Sequence, residues 1–111
     1  MTVITDAGRV CALNDILRRT LAGGTLMMSA GIVALGRERQ LTILAAIAAF
    51  DEFDADNDPY DEHDFGALDV DGERILFKID CYDNSLSAAS PDPSDTSVTV
   101  RVLSVMLAEE Y

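Results

Sequence analysis

The chain has 111 residues and a mass of 12.0 kDa, which predicts one domain spanning residues 1–111. Hydrophobic residues make up 49% and charged residues 25% of the chain, so it is not a collagen, a coiled-coil rod, a disulfide scaffold or a wholly disordered protein. Twenty acids against eight bases give a net charge of −12. This charge argues against direct binding to nucleic acid, because phosphate backbones require a basic face.

The first half of the chain predicts two helices with β structure between them. Asp6–Leu21 has apolar residues at helical spacing, and either Thr5 or Asp6 can cap its start. Thr25–Leu35 is apolar and rich in strand-forming residues, so it predicts one strand or two short strands hinged at a glycine. Gln40–Phe53 predicts a second helix with a wide, alanine-rich apolar face.

The second half predicts a loop, a hairpin and a last helix. Asp54–His63 is a predicted loop, because it contains an Asn-Asp-Pro turn. Two strands are predicted, Phe65–Val70 and Arg74–Tyr82, because an Asp-Gly pair between them is typical of a hairpin turn. Asn84–Asp95 is a second loop, after which Ser94 or Asp95 caps a helix that runs to about Glu109.

The predicted order of elements is α-β-α-β-β-α. This order predicts an α+β fold with a small antiparallel sheet of about three to four strands, covered on one face by about three helices. In the second hairpin strand, Ile75, Phe77 and Ile79 alternate with mixed residues, so one face of that strand is predicted to be apolar.

The charge is divided unevenly along the chain. Residues 1–50 carry five arginines and three acids, a net charge of +2, whereas residues 51–111 carry three bases and seventeen acids, a net charge of −14. We call Asp51–Asp64 the acidic segment, because eight of its fourteen residues are acids and none is a lysine or arginine. Unpaired carboxylates are too costly to bury, so the acidic segment is expected to lie on the surface or around an ion.

Several short motifs occur together along the chain. They are Ala12-Leu13-Asn14-Asp15, Arg18-Arg19-Thr20, Gly23-Gly24, Asn57-Asp58-Pro59-Tyr60, Glu62-His63-Asp64-Phe65-Gly66, Lys78-Ile79-Asp80, Ser90-Pro91-Asp92-Pro93, Arg101-Val102-Leu103 and Met106-Leu107-Ala108-Glu109-Glu110-Tyr111. Over about residues 10–111 the sequence resembles the bacterial family called domain of unknown function 3768. The resemblance implies an accessory protein of alphaproteobacterial plasmids and other mobile elements, and it implies no activity.

The acidic segment is the principal candidate for a functional surface. Closely spaced carboxylates can imitate duplex DNA, which carries about one charge per 1.7 Å of its axis. Together with the mobile-element context that the resemblance implies, this charge predicts a non-enzymatic protein that binds a basic partner, such as a host restriction or CRISPR complex with a nucleic-acid groove. Tyr60 and Phe65 are the predicted aromatic anchors. The predicted partner-binding carboxylates are those of Asp51, Glu52, Asp54, Asp56, Asp58, Asp61, Glu62 and Asp64.

Two other functions remain open at this point. His63 with Asp64 and Asp80 could serve a small metal-dependent or acid–base enzyme. Alternatively, the helices could form a homodimer in a structural or assembly module. Asp54-Ala55-Asp56-Asn57-Asp58 begins like the calcium loop of an EF-hand, but Pro59 stands where that loop needs glycine and Phe65 where it needs glutamate. An EF-hand is therefore not expected, and an irregular site for a hard cation remains open.

The remaining features predict a cytoplasmic protein without a cofactor. The first residues contain neither a basic stretch nor an apolar one, so no signal peptide is expected. The apolar stretches are too short to span a bilayer, so no membrane partner is expected. Cys11 and Cys81 are predicted to be two reduced, buried thiols.

Overall fold

The computed structural model describes residues 6–111 of the chain. Its helices are α1 (Asp6–Thr20), α2 (Ala30–Ala34) and α3 (Arg37–Ala49), and its strands are β1 (Thr25–Met28), β2 (Phe65–Val70), β3 (Glu73–Tyr82) and β4 (Val100–Leu107). Short 3-10 turns lie on either side of β4, at Thr96–Val98 and Ala108–Glu110. The expected absence of a signal peptide and the possible Thr5 cap concern residues outside this range.

The four strands form one sheet in the order β1-β4-β3-β2. The predicted hairpin is confirmed, since β2 pairs antiparallel with β3, and β3 pairs antiparallel with β4. The short strand β1 runs parallel to β4, so the sheet is mixed rather than purely antiparallel. The fold class is α+β, as predicted. In residues 6–111 no helix has the length and apolar character needed to cross a bilayer.

The prediction of a last helix was wrong, because the segment forms the central strand β4. Its valines follow a spacing that a helix and a strand can share, and β-branched residues favour the strand. Strand β4 has partners on both sides, with Val105 opposite Phe77 on one side and Met28 on the other. These two neighbours come from distant parts of the chain. Asp95 does act as a cap, but for the 3-10 turn, where its side chain accepts from the backbone N–H of Ser97.

The predicted strand Thr25–Leu35 is only partly correct. The strand ends at Met28, and Ser29 then caps the short helix α2 by accepting from the backbone N–H of Ile32 at 3.3 Å. Glu110 fixes this turn, since its carboxylate accepts from the Ser29 hydroxyl at 2.5 Å and from the Gly31 N–H at 3.0 Å. The turn is therefore held by a residue from the other end of the chain.

The hydrophobic core lies between the three helices and one face of the sheet. The face of β3 that carries Ile75, Phe77 and Ile79 packs against Leu17 of α1 and Ile47 of α3. All five side chains are buried. The predicted apolar face of this strand is therefore confirmed. Lys78 and Asp80 lie on its other face and form an ion pair at 2.9 Å.

The buried side chain of Arg18 joins α1 to the end of α3. Its Nη1 atom donates to the carbonyl oxygens of Ile47, Ala48 and Phe50 at 2.9, 3.1 and 2.8 Å. Its Nη2 atom donates to Asp15 at 2.8 Å. The last carbonyls of a helix have no partner within the helix, so Arg18 supplies the cap that they lack. Helix α3 accordingly ends at Ala49, earlier than the sequence predicts.

We predict that Arg18→Met destabilises the protein by about 3 kcal/mol or more. The substitution removes the Arg18 donor from the Ala48 and Phe50 carbonyls and leaves the Ile47 carbonyl only its bond from the Phe50 N–H. It also removes the cationic partner of Asp15. Arg18→Lys should cost less but still destabilise, because an ammonium cannot reproduce the planar arrangement of guanidinium donors. Urea denaturation measures both effects.

The matched control is Arg19→Met, on the same helix at an exposed position. It should change the free energy of unfolding by less than about 0.5 kcal/mol. Equal effects of the two methionine substitutions would contradict the role of Arg18 as a buried cap.

Candidate functional site: the acidic segment around His63

The acidic segment connects the end of α3 to the start of β2, and aromatic side chains attach it to the core. The ring of Phe53 packs edge-on against Phe50 with centroids 4.9 Å apart, and Phe50 packs in the same way against Phe77 at 5.3 Å. The Arg18 guanidinium lies over the Phe53 ring, 5.2 Å from its centroid. The first turn of the acidic segment therefore has a fixed position relative to the sheet.

Carboxylate and amide groups shape the next turn. The Asp54 carboxylate accepts from the backbone N–H of Asp56 at 2.9 Å and of Asn57 at 3.0 Å. The Asn57 side chain in return donates to the Glu52 carbonyl at 2.8 Å and accepts from the Asp54 N–H at 2.9 Å. Residues that resemble the start of a calcium loop thus form a turn closed by their own hydrogen bonds.

Asp58 departs from the expectation that these acids lie on the surface. Its side chain is only 2% exposed. The carboxylate accepts from the backbone N–H of Glu62 at 2.9 Å and of His63 at 3.1 Å. Because backbone donors compensate it, this one carboxylate can be buried. It is not available to contact a partner directly.

His63 lies at the centre of this region. Its ring stacks on Phe53 with centroids 4.0 Å apart and planes 5° from parallel. The Nδ1 atom lies 3.0 Å from Asp15 Oδ1, and the Nε2 atom lies 3.8 Å from both Asp58 Oδ2 and Asp61 Oδ1. The imidazole therefore has carboxylates on both of its nitrogen sides.

Asp15 belongs to the site, although it is not among the site residues predicted from the sequence. Burial opposes ionisation of Asp15, but the hydrogen bonds from Arg18 and His63 outweigh that effect and lower its pKa below the ordinary value. The pairing of Asp15 with Arg18, three residues apart on one helix, was readable from the sequence. Its contact with His63, 48 positions away, was not.

Five carboxylates of the acidic segment are exposed. They belong to Asp51, Glu52, Asp54, Asp56 and Asp61. Within residues 6–111 no lysine or arginine forms an ion pair with any acid of the acidic segment. Glu62 and Asp64 are half-buried, and burial raises the pKa of each carboxyl, an effect that the charge of Asp58 increases. Arg101 acts on Glu62 in the opposite direction.

The remaining predicted site residues lie in different environments. Tyr60 is 75% exposed beside the carboxylates. Phe65 is partly buried, and its ring contacts that of Tyr111 at 6.3 Å. Asp64 lies close enough to Asp80 for that charge to raise its pKa further. Among the described residues, three-residue groups of potential metal ligands include His63 with other partners, but neither Asp64 nor Asp80.

A second polar link, through Asn14, joins the acidic segment to the sheet. The buried Asn14 amide donates to the Glu62 carbonyl at 3.0 Å, and its oxygen accepts from Arg101 Nε at 2.7 Å. Arg101 also donates to the Pro93 carbonyl at 2.5 Å. Asn14 and Arg101 are both present in the motifs of the sequence, but nothing in the sequence indicates that they meet.

Both cysteines are free thiols of intermediate burial. Burial, together with the charges of Asp15, Asp61 and Asp58, raises the pKa of Cys11 to about 11. Burial also raises the pKa of Cys81. Because the thiolate is the reactive form, neither residue has the features of a catalytic nucleophile.

We predict that the stabilising effect of Asp15 depends on pH. Its folded-state pKa is lower than the ordinary 3.8, so the ionised carboxylate stabilises the fold above pH 3.8, and this contribution disappears as the pH falls through the folded-state pKa. Asp15→Asn should therefore be less stable than the unmodified protein at neutral pH, and the difference should shrink under acid. Urea denaturation over a pH series measures it.

The control for this series is Asp56→Asn, which removes an exposed carboxylate of the acidic segment. Its stability difference from the unmodified protein should be small at neutral pH. If the difference in unfolding free energy between Asp15→Asn and the unmodified protein stayed constant down to the lowest pH of the series, ionisation of Asp15 would contribute nothing to stability.

Comparison with known proteins identifies a family but no activity. The family model described as protein of unknown function, DUF3768, matches residues 28–110, which is most of the chain. No curated protein and no solved structure matches the chain. The match covers the acidic segment, His63 and strands β2, β3 and β4, but it includes only Met28 of β1 and none of α1. It names the same family as the resemblance carried by the sequence motifs. The chain therefore belongs to the DUF3768 family.

Proposed function

We propose that this protein is an acidic, non-enzymatic interaction protein whose acidic segment occupies the basic nucleic-acid groove of a partner. The observation that supports this most is the exposure of Asp51, Glu52, Asp54, Asp56 and Asp61 without a lysine or arginine partner in residues 6–111. Carboxylates that repel one another are stabilised when a cationic surface approaches them, because the repulsion is then compensated.

The rigidity of the acidic segment supports the same proposal. Asp54 and Asn57 close its first turn, while Asp58 holds the backbone of Glu62 and His63. A preorganised charged surface loses little conformational entropy when it binds. The exposed ring of Tyr60 lies among these charges and supplies an aromatic contact of the kind that often dominates binding energy.

The partner that we propose is a nucleic-acid-binding complex of a host defence system, of the restriction or CRISPR type. Its cationic groove has the charge that the acidic segment complements. An accessory protein of a mobile element that blocked such a complex would protect that element. Electrostatic attraction of this kind accelerates association and weakens with salt, since the screening length is about 8 Å at physiological ionic strength.

The variants that test this function must spare the carboxylates that hold the acidic segment together. Neutralising Asp54 or Asp58 would disturb the turn as well as the charge. We therefore select the triple variant Asp51→Asn, Glu52→Gln and Asp56→Asn. The control triple variant is Glu38→Gln, Asp71→Asn and Glu109→Gln, which removes the same charge from exposed positions elsewhere.

We predict that the immobilised protein captures nucleic-acid-binding proteins from a host extract, and that duplex DNA and raised salt both release them. The triple variant of the acidic segment should lose about tenfold or more of this capture at low salt, because steering charges change association rates by at least that factor. The control triple variant should retain most of it. Quantitative mass spectrometry of the captured proteins measures both.

Two results would contradict the proposed function. One is capture that duplex DNA does not compete away, and the other is an equal loss of capture in the two triple variants. Circular dichroism of each variant establishes that the fold is intact before the comparison is made.

A further inference from the structure

The region around His63 has features that a charged interaction surface does not require. The imidazole is fixed by Phe53 on one face and by Asp15 at Nδ1, and Asp15 is held in turn by Arg18 at 2.8 Å. A carboxylate at Nδ1 favours the tautomer with its proton on that nitrogen. In that tautomer the lone pair of the neutral ring is on Nε2, where it is free to act as a ligand.

Two carboxylate oxygens face this nitrogen. Asp58 Oδ2 and Asp61 Oδ1 each lie 3.8 Å from Nε2, and the three atoms all lie within 4.8 Å of one another. Ligand atoms bound to Zn²⁺ at about 2.0–2.2 Å in a tetrahedral arrangement are about 3.4 Å apart. The two nitrogen–oxygen distances of 3.8 Å are close to this value, and the two carboxylate oxygens lie within 4.8 Å of each other, so the three atoms must approach one another to hold an ion.

The surroundings of these atoms are those of a metal site. Histidine ligands usually donate their second ring nitrogen to a carboxylate, as His63 does to Asp15, and ligating carboxylates are themselves hydrogen-bonded, as Asp58 is. Asp58 and Asp61 also line a surface cavity of about 320 Å³. The cavity gives an ion a way in and leaves room for water or another ligand.

We propose that His63 Nε2, Asp58 Oδ2 and Asp61 Oδ1 bind a divalent transition-metal ion such as Zn²⁺. One nitrogen and two oxygen donors suit such an ion, whereas Ca²⁺ takes six to eight oxygen ligands. Asp15 is a positioning residue in this site, because it acts on the ion through the His63 ring. Both ligating carboxylates come from the acidic segment, and the ion would fix Asp61 as well as Asp58.

A second group of potential ligands shares His63. Cys11 Sγ, an Asp15 oxygen and a His63 nitrogen also lie within 4.8 Å of one another. Asp15 is already bonded to Arg18, however, and the guanidinium places a positive charge beside any ion bound there. The positive charge of Arg18 and its bond to Asp15 therefore favour the Asp58–Asp61 side of the ring.

This metal site shares Asp61 with the exposed carboxylates that support the proposed function. It does not include Asp51, Glu52 or Asp56, and these three define the variant that tests partner capture. Failure of metal binding would leave the capture experiment unaffected, and failure of capture would leave the binding isotherm unaffected.

The test is calorimetric titration of the full chain with Zn²⁺ alone. We expect saturation at one ion per chain for the unmodified protein. Asp61→Asn should weaken the affinity about tenfold or more, and its side chain is 93% exposed, so the variant is expected to fold. His63→Gln should do the same, and Asp15→Asn should weaken it about ten- to a hundredfold through the orientation of the ring.

The matched control is Asp56→Asn, which removes one negative charge from the same segment without removing a ligand. It should bind Zn²⁺ as the unmodified protein does. Equal weakening in Asp56→Asn and Asp61→Asn would overturn the proposal, because it would show general attraction of cations to the acidic segment. Absence of saturable binding to the unmodified protein would overturn it as well.

Co²⁺ absorption spectra identify the side of the ring on which the ion binds. We expect ligand-field bands without a thiolate-to-cobalt charge-transfer band, and no change of the spectrum in Cys11→Ser. A charge-transfer band that Cys11→Ser abolishes would overturn the assignment to Asp58 and Asp61.

Discussion

The hydrogen bonds of the buried Arg18 are the contacts on which the rest of the site depends. One guanidinium caps the last carbonyls of α3, holds Asp15 and lies against the ring of Phe53. Through Asp15 it determines where the His63 imidazole can lie. Because a buried charge is tolerated only with such partners, these contacts limit where α1, α3 and the acidic segment can be placed relative to one another.

The acidic segment combines two kinds of carboxylate. The carboxylates of Asp54 and Asp58 accept backbone hydrogen bonds and shape the chain. The carboxylates of Asp51, Glu52 and Asp56 are exposed and have no lysine or arginine partner in the part of the chain that the structure describes. The first group holds the second in position. A surface so arranged presents its charge with little loss of entropy on binding, which is the physical basis of the proposed function.

Much of the fold could be predicted from the sequence where the local signal was strong. The Asp-Gly turn and the alternation in β3 predicted the hairpin correctly. The prediction failed for β4, where the spacing of valines agreed with a helix and only pairing with β1 and β3 made it a strand. Pairing between distant segments is not visible in one sequence, so neither the parallel neighbour nor the strand order was predicted.

In the candidate site, too, local sequence patterns were informative, whereas contacts between distant residues were not predicted. The density of acids and the Asn-Asp-Pro turn identified the acidic segment, whereas the burial of Asp58 and the contact of His63 with Asp15 depend on tertiary packing. Arg18 gave a sequence signal only through its spacing from Asp15.

Amide hydrogen exchange in the native protein measures whether the acidic segment has a fixed structure. The N–H groups of Glu62 and His63 donate to the buried carboxylate of Asp58, so they should be protected from exchange, as amides within α3 are. Exchange of these two amides at the rate of an unfolded peptide, in a protein whose α3 remains protected, would contradict the account.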